Sequence, residues 1–415
     1  MRLSRSLLVI YMAGFLRSLG VGLLGVVLAV YLSRVEVSAT GIGLVIGAGL
    51  LGACVATAAV ARSSVRIGYR ASLVTLSLLA ALGGWALAIL PSFPLLLFLA
   101  FVGMVNGMGT DRSAAFALEQ AIIPALVPER SRTWGLSWYN VLLDSGGALG
   151  ALGAGLPLLL SNWVHVGLIA GYRYLFVAYG VVNVASALLY LLLRVDAGGL
   201  HPTPSSRAAS PASLPSRSTV HRIAALFAID AFGGGFLSDA LVSYWFFHRF
   251  GLAEQTLGLL FFAVHVLNAA SHLGAAWIAE RIGLLKTMVF THLPSSLFLI
   301  AVPFAPSSKW AIVLFLLRES LVEMDVPTRQ SYVAALVKPH ERAYASGITN
   351  ITRTGAWAAA SAISGLLMQR LAFSAPLVIG GTLKIAYDIL LFRNFGHIKA
   401  PEELARKPAS VSVGC

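Results

Sequence analysis

Between positions 309 and 337 the chain reads KWAIVLFLLRESLVEMDVPTRQSYVAALV, an apolar run long enough to cross a bilayer, with Arg318, Glu319, Glu323, Asp325 and Arg329 in its middle. One such charge at bilayer depth costs about 2.5 to 3.5 kcal/mol on insertion scales, so five in one run require internal pairing or a task. On a helical wheel Arg318, Asp325 and Arg329 fall within about 40° of one another, so the acid is expected to sit between two guanidinium groups as a structural stripe. Glu319, Glu323 and Gln330 fall about 100° to 140° further round, on a stripe without a base. Pro327 cannot donate to the Glu323 carbonyl, which predicts a free acceptor and a kink beside that acid. An unpaired carboxylate in a low-dielectric cavity is suited to taking up and releasing a proton.

The elements that must hold these charges are membrane helices. Of 415 residues 58% are hydrophobic and 11% charged, with mean hydropathy +0.82, against about 25% charged in a soluble domain. Twelve apolar runs are expected to span the bilayer: 6–33, 41–61, 72–90, 93–120, 133–161, 172–193, 221–248, 255–280, 286–304, 308–337, 342–370 and 375–396. The first run is too long for a signal-peptide core and reads as a retained span. With the N-terminus in the cytoplasm, 19 of the 30 Lys and Arg fall in cytoplasmic segments, 5 outside and 6 within spans. That asymmetry predicts a multi-pass protein of the inner (plasma) membrane with both termini cytoplasmic. The net charge of +13 is thus a topology signal, and no nucleic acid is expected as a partner. Two cysteines, Cys54 and Cys415, support neither a disulfide framework nor a thiolate metal cage.

Residues 194–220, rich in Pro, Ser, Ala and Arg, read as a flexible cytoplasmic linker. It separates an N-terminal six-helix bundle (1–193) from a C-terminal one (221–396), with a cytoplasmic tail at 397–415. The halves are related in sequence. A shift of 213 places Arg17, Gly20, Gly22 and Tyr31 on Asp230, Gly233, Gly235 and Tyr244; a shift of 215 places RIG at 66–68 on RIG at 281–283. A shift of 210 places Gln120, ALV at 125–127, Arg132, Asn140 and Gly155 on Gln330, ALV at 335–337, Arg342, Asn350 and Gly365. Two bundles of like topology are the parallel-repeat arrangement of a rocker-switch transporter.

The loop between spans 2 and 3, ARSSVRIGYR, keeps Arg66, Gly68 and Arg70, and its repeat copy AAWIAERIGLLK keeps Glu280, Arg281, Gly283 and Lys286. These residues, with the twelve spans and the repeat, resemble the major facilitator superfamily over essentially the whole chain. The resemblance implies an all-α membrane fold of twelve helices in two bundles, with spans 1, 4, 7 and 10 around a central cavity and spans 3, 6, 9 and 12 at the periphery. It also implies a gate role for the acid and bases of the two RIG loops, here Arg66, Glu280 and Arg281.

The buried charges follow that division: Arg17 in span 1, Asp111, Arg112 and Glu119 in span 4, Asp230 and Asp239 in span 7, and five in span 10. Arg112 and Glu119 share a helical face and are expected to pair, as are Lys384 and Asp388 at i,i+4 in span 12. Arg17 and Asp230, equivalent by the repeat, lie near the midplane; Arg17 is open to an acid across the cavity (Asp230, Glu319 or Glu323) or to Asp111 in its own bundle. The substrate or proton site is therefore expected among Arg17, Asp111, Asp230, Glu319 and Glu323. Asn140 with Asp144, and Asn350 with Arg353, are repeat-related polar patches on spans 5 and 11 that read as cavity lining or bundle latches. His265, Asn268 and His272 share a face of span 8, but an i,i+7 histidine pair is about 10 Å apart along a helix, so no metal site is expected.

No P-loop, zinc-protease helix, Ser-His-Asp order or Rossmann fingerprint appears, so neither an enzyme nor a cofactor is expected. The reading is a monomeric secondary transporter of a small molecule, working by alternating access with protons. Gly146, Gly150, Gly153 and Gly155 in span 5 lean it toward proton-coupled efflux, since that stretch resembles the glycine-rich fifth span of the superfamily's antiporters. Proton-coupled uptake of a sugar or organic anion, metalloid export, and a membrane sensor or scaffold are the alternatives.

Overall fold

The computed structural model describes residues 4–128, 132–194, 217–326, 328, 329, 332 and 342–396. Among them every regular element is helical. The first half holds α1 (Arg5–Arg34), α2 (Ala39–Ile67), α3 (Tyr69–Ile89), α4 (Phe93–Val102), α5 (Ala114–Leu126), α6 (Arg132–Leu152), α7 (Leu156–Val164) and α8 (Leu168–Leu191). The second holds α9 (Arg217–Gly235), α10 (Asp239–Phe250), α11 (Glu254–Ile282), α12 (Leu284–Ala301), α13 (Ser308–Val322), α14 (Arg342–Arg370) and α15 (Ala375–Phe395). Nine helical stretches among the described residues are long and apolar enough to cross a membrane. The other expected spans are the short α4 and α5, the short α13 and the more polar α14.

The repeat is visible in local geometry. Gly68 joins α2 to α3 and Gly283 joins α11 to α12, both at φ 93, a backbone region that residues with a Cβ rarely enter. Helix starts are set by serine caps: Ser4, Ser38 and Ser113 accept from the backbone N–H three residues on, each at 3.2 Å.

Three cavity-lining spans are not continuous helices, which corrects the sequence expectation. Span 4 stops at Val102 and resumes at Ala114, and Asn106 satisfies freed backbone by donating to Met104 O and accepting from Met108 N. Span 7 breaks between Gly235 and Asp239, where Ser238 caps α10. The helical stretch of span 10 ends at Val322 with Glu323 as its cap. Broken backbone at membrane depth persists only where protein or a water-filled cavity satisfies it, and here Ala240 N donates to Gly107 O at 2.9 Å, tying one break to the other. Pro327 and Gln330, with the kink expected there, lie outside the described residues, as do 195–216 of the linker and the tail 397–415.

α1 packs on α6 and α8, and α9 on α14 and α15, so each half has its own bundle. The halves meet through α2 on α14, α6 on α11 and α1 on α10. At the Arg34 end they share one apolar core that includes Tyr31, Tyr172, Trp245, Phe246 and Phe315. At the opposite end the core divides: Leu7, Ile10, Tyr139 and Tyr190 belong to one half, Val220, Phe227 and Tyr387 to the other. Among the described residues the apolar core is thus continuous across the halves at the Arg34 end and divided between them at the N-terminal end.

Candidate functional site

Each half is built around one buried charge. In the first half Arg17, 4% exposed, donates from Nε to Asp111 Oδ2 at 2.6 Å and from its terminal nitrogens to Glu119 and to Tyr190 Oη. Tyr139 and Tyr190 each donate to Glu119 at 2.6 Å. Gly14 admits Tyr139, because a Cβ there would stand 2.9 Å from its ring. This network satisfies the guanidinium inside its own bundle, so Arg17 is not the counter-charge of an acid across the cavity.

The second half inverts the signs. Asp230, 3% exposed, accepts from Lys384 Nζ at 2.8 Å and lies 3.5 Å from Arg329, 3.7 Å from His292 and 3.8 Å from Arg353. His292 Nδ1 is 3.0 Å from Asp388, and Asp325 accepts from Arg329. The repeat explains the inversion. The shift of 213 puts Arg17 on Asp230, and the shift of 210 puts Glu119 on Arg329, so a base held by an acid became an acid held by a base.

Between the halves lies an open cavity whose empty space, part of it open solvent, is about 680 Å³. Its charged lining comprises Arg112, from the broken span 4, and Asp230, Asp239, Arg318, Glu319, Glu323, Asp325, Arg329, Arg353 and Lys384 from the second half. Three bases are matched by contacting acids: Arg318 by Glu319, Arg329 by Asp325, and Lys384 by Asp230. Glu323 has no ion pair among the described residues, and Asp239 meets only His265, at 3.7 Å. Arg112 and Arg353 stack on one indole, with Cζ 4.5 and 4.8 Å from the Trp357 ring centre.

Several expected pairs have other partners. Arg112 and Glu119 do not pair, because the break at 103–113 cancels the helical register that put them on one face; Glu119 turns to Arg17 and Arg112 to Trp357. Arg318 meets Glu319 rather than Asp325, because the helix stops between them. Lys384 and Asp388 share a face of α15, yet each meets a residue of another helix, Asp230 and His292. Asp230 and Glu319 are therefore not unpaired acids, which leaves Glu323 of the original candidates. Asp144 is half-buried on α6 within the electrostatic reach of His272 and Glu323. Asn140 and Asn350 are exposed and do not line this cavity. Arg66 and Arg281 are exposed at the ends of α2 and α11, Arg281 over Trp277 at 3.6 Å; the Glu280 side chain lies outside the described residues. Sequence reasoning missed Trp357 and His292, which carry no formal charge to mark them. It also missed Arg34 and Glu254, which sit at span ends where charge is ordinary.

Those last two form a latch at the end where the core is continuous. Glu254 Oε1, from α11, accepts from Arg34 Nε of α1 at 2.8 Å and from Tyr172 Oη of α8 at 2.5 Å. Arg34 also lies over Phe247 of α10 at 4.9 Å. Beside the latch α2 and α14 are nearly in backbone contact: a Cβ on Gly365 would fall inside the Ala39 carbonyl, and one on Gly43 would stand 2.7 Å from Ser361 O. Gly365→Leu is therefore expected to drive these helices toward the ordinary separation of about 8–10 Å. Spin labels at Glu36 and Leu371, on exposed flanks of the contact, would report the widening, and substrate flux would fall to background.

Broken helices that meet between two bundles are the architecture of a secondary transporter. The chain belongs to the Major Facilitator Superfamily, which residues 10–360 and again 223–412 match. It is 25% identical over 418 residues to the uncharacterized membrane protein YJR124C of Saccharomyces cerevisiae, covering 94% of this chain and 93% of that protein. Among solved structures it resembles a D-xylose–proton symporter (TM-score 0.74, 14% identity, 94% of this chain and 97% of the other). It also resembles the nucleoside transporter NupG (TM-score 0.75, 10% identity, 94% and 99%). A third likeness is a bacterial homolog to the human lysosomal transporter Spinster (TM-score 0.71, 16% identity, 94% and 96%). At these identities the likenesses establish the fold and nothing finer.

Proposed function

We propose that the protein moves a small molecule across the membrane by alternating access coupled to protons, with Glu323 as the proton-carrying acid. The observation that carries this reading is the sorting of cavity charge: the acids beside Arg318, Arg329 and Lys384 are engaged, while Glu323 faces the cavity without an ion pair among the described residues. It stands in the electrostatic field of His272, Arg112, Arg329 and Arg318, and close enough to Asp144 to be felt there. A proton gained or lost at Glu323 therefore changes the balance of charge between the two halves, which is what coupling requires.

With the N-terminus cytoplasmic, the shared core and the latch close the outer end, and the cavity faces the cytoplasm. Glu254→Gln removes the charge that holds Arg34 and is expected to shift the equilibrium toward an open outer end by about 2 kcal/mol. Distances between labels on Glu36 and Leu371 would lengthen in a fraction of molecules; an unchanged distribution would remove the latch from the mechanism.

The glycine-rich stretch of span 5, Gly146 and Gly150 in α6 and Gly153 and Gly155 in the turn that follows it, supports export in exchange for protons. A second reading, uptake of an organic anion together with a proton, is supported by the bases on the cavity wall. Both are tested by reconstituting the protein in vesicles with a pH-sensitive dye inside and adding chemically diverse compounds. A compound-dependent proton flux opposite to substrate movement supports export by exchange, and a flux in the same sense supports co-transport. Substrate movement without any proton flux contradicts the coupling.

A further inference from the structure

Arg112 and Arg353 are the two bases of the cavity wall without a short ion pair among the described residues. Arg353 reaches Asp230 only at 3.8 Å, and Asp230 already accepts from Lys384 at 2.8 Å; Arg112 has no ion pair among the described residues. Each has an Nε atom buried without a hydrogen-bond partner, as does Arg318. By sharing Trp357 the two guanidinium carbons lie no more than about 9 Å apart, a spacing at which like charges in a poorly solvated cavity repel. A cation–π contact returns about 0.5 to 2 kcal/mol, less than the cost of burying an unpaired charge. Two guanidinium groups within that distance, each with a buried donor unused, are suited to an anion, since the guanidinium fork matches a carboxylate or phosphoryl group by paired hydrogen bonds.

We infer that Arg112 and Arg353 grip the acidic group of the substrate, a small organic anion bearing a carboxylate or phosphoryl group. Arg112 comes from the first half and Arg353 from the second, so one anion bridges the bundles and favours the state in which they approach. Met108, Leu237 and Val322 line the same cavity and offer an apolar wall for the rest of the molecule. The inference rests on the proposed function only in treating this cavity as the substrate site.

The test is equilibrium binding to the purified full chain in detergent, read by thermal stabilisation. The probes are benzoate and phenyl phosphate, with benzamide and phenol as neutral counterparts. At least one anion is expected to stabilise the protein while its neutral counterpart does not; which of the two acts tells carboxylate from phosphoryl. Arg112→Gln and Arg353→Gln are each expected to weaken that binding about tenfold or more, and Arg353→Lys, which keeps charge and loses the fork, by less. Arg393→Gln, exposed near the end of α15 and outside the cavity lining, should leave it unchanged. Size-exclusion profiles of the variants separate lost binding from lost folding. Absence of anion stabilisation, equal response to anion and neutral probe, or full binding by correctly folded Arg112→Gln and Arg353→Gln each overturns the inference. Loss of anion binding with proton flux intact removes the substrate class alone, and loss of proton flux with anion binding intact removes the coupling alone.

Discussion

Arg17→Met is expected to destabilise the protein by about 3–5 kcal/mol, because it leaves two carboxylates buried with no counter-charge. Among the described residues, Asp111 and Glu119 would keep as hydrogen-bond donors the Ser113 backbone N–H, Tyr139 and Tyr190. Tyr139→Phe and Tyr190→Phe each remove one donor to Glu119 and are expected to cost about 1–3 kcal/mol. Unfolding in mixed micelles provides the readout. Arg353→Gln is the contrasting case: that base is surplus in its cluster, so its loss should leave the unfolding midpoint unchanged or raise it. If Arg17→Met and Arg353→Gln lower the midpoint alike, the assignment of Arg17 to structure and Arg353 to substrate fails.

The second large effect is expected at Glu323. Glu323→Gln keeps the size and hydrogen-bonding capacity of the side chain and removes its titration. Net transport driven by a pH gradient should fall to background, while exchange of labelled for unlabelled substrate at equal pH should persist. That split distinguishes a coupling acid from one needed for binding or folding, which would lower both activities. Glu319→Gln should not reproduce it, since Glu319 is engaged by Arg318. If the substrate is an anion, a neutral residue 323 also removes an acid acting on Arg112, so the anion should bind more tightly to Glu323→Gln than to the natural protein. A proton and an anion that favour each other in this way travel together, which selects co-transport over exchange.

The spans, the bundle repeat and the concentration of charge on spans 1, 4, 7 and 10 were legible because bilayer length and the cost of buried charge leave marks on composition. The pairing within the cavity was not, and the reason is local. Wheel arguments assume one uninterrupted helix, and spans 4, 7 and 10 are interrupted at 103–113, 236–238 and Glu323, beside the charges in question. Register is lost across each break, so Arg112 separated from Glu119 and Arg318 from Asp325. Nothing in the apolar runs marked these breaks strongly: NGMGTDRS at 106–113 carries glycine and polar residues, yet similar glycine-rich stretches in α1 and α6 remain helical. The relation between Arg17 and Asp230 was visible as an alignment; that of Glu119 to Arg329 lies at the same shift as Gln120 and Gln330 but carries opposite charges and was not marked by residue identity. That the two pairs are charge-inverted copies needed the distances, since a sequence shift does not say which aligned charges touch.

The most direct test of proton-coupled alternating access is accumulation against a gradient. Vesicles containing the natural protein or Glu323→Gln would be given an identified substrate with a pH step imposed across the membrane, with and without a protonophore. The account predicts that the natural protein concentrates the substrate in response to the pH step, that the protonophore abolishes this, and that Glu323→Gln only equilibrates. Accumulation that survives the protonophore, or is equal in Glu323→Gln, would contradict it.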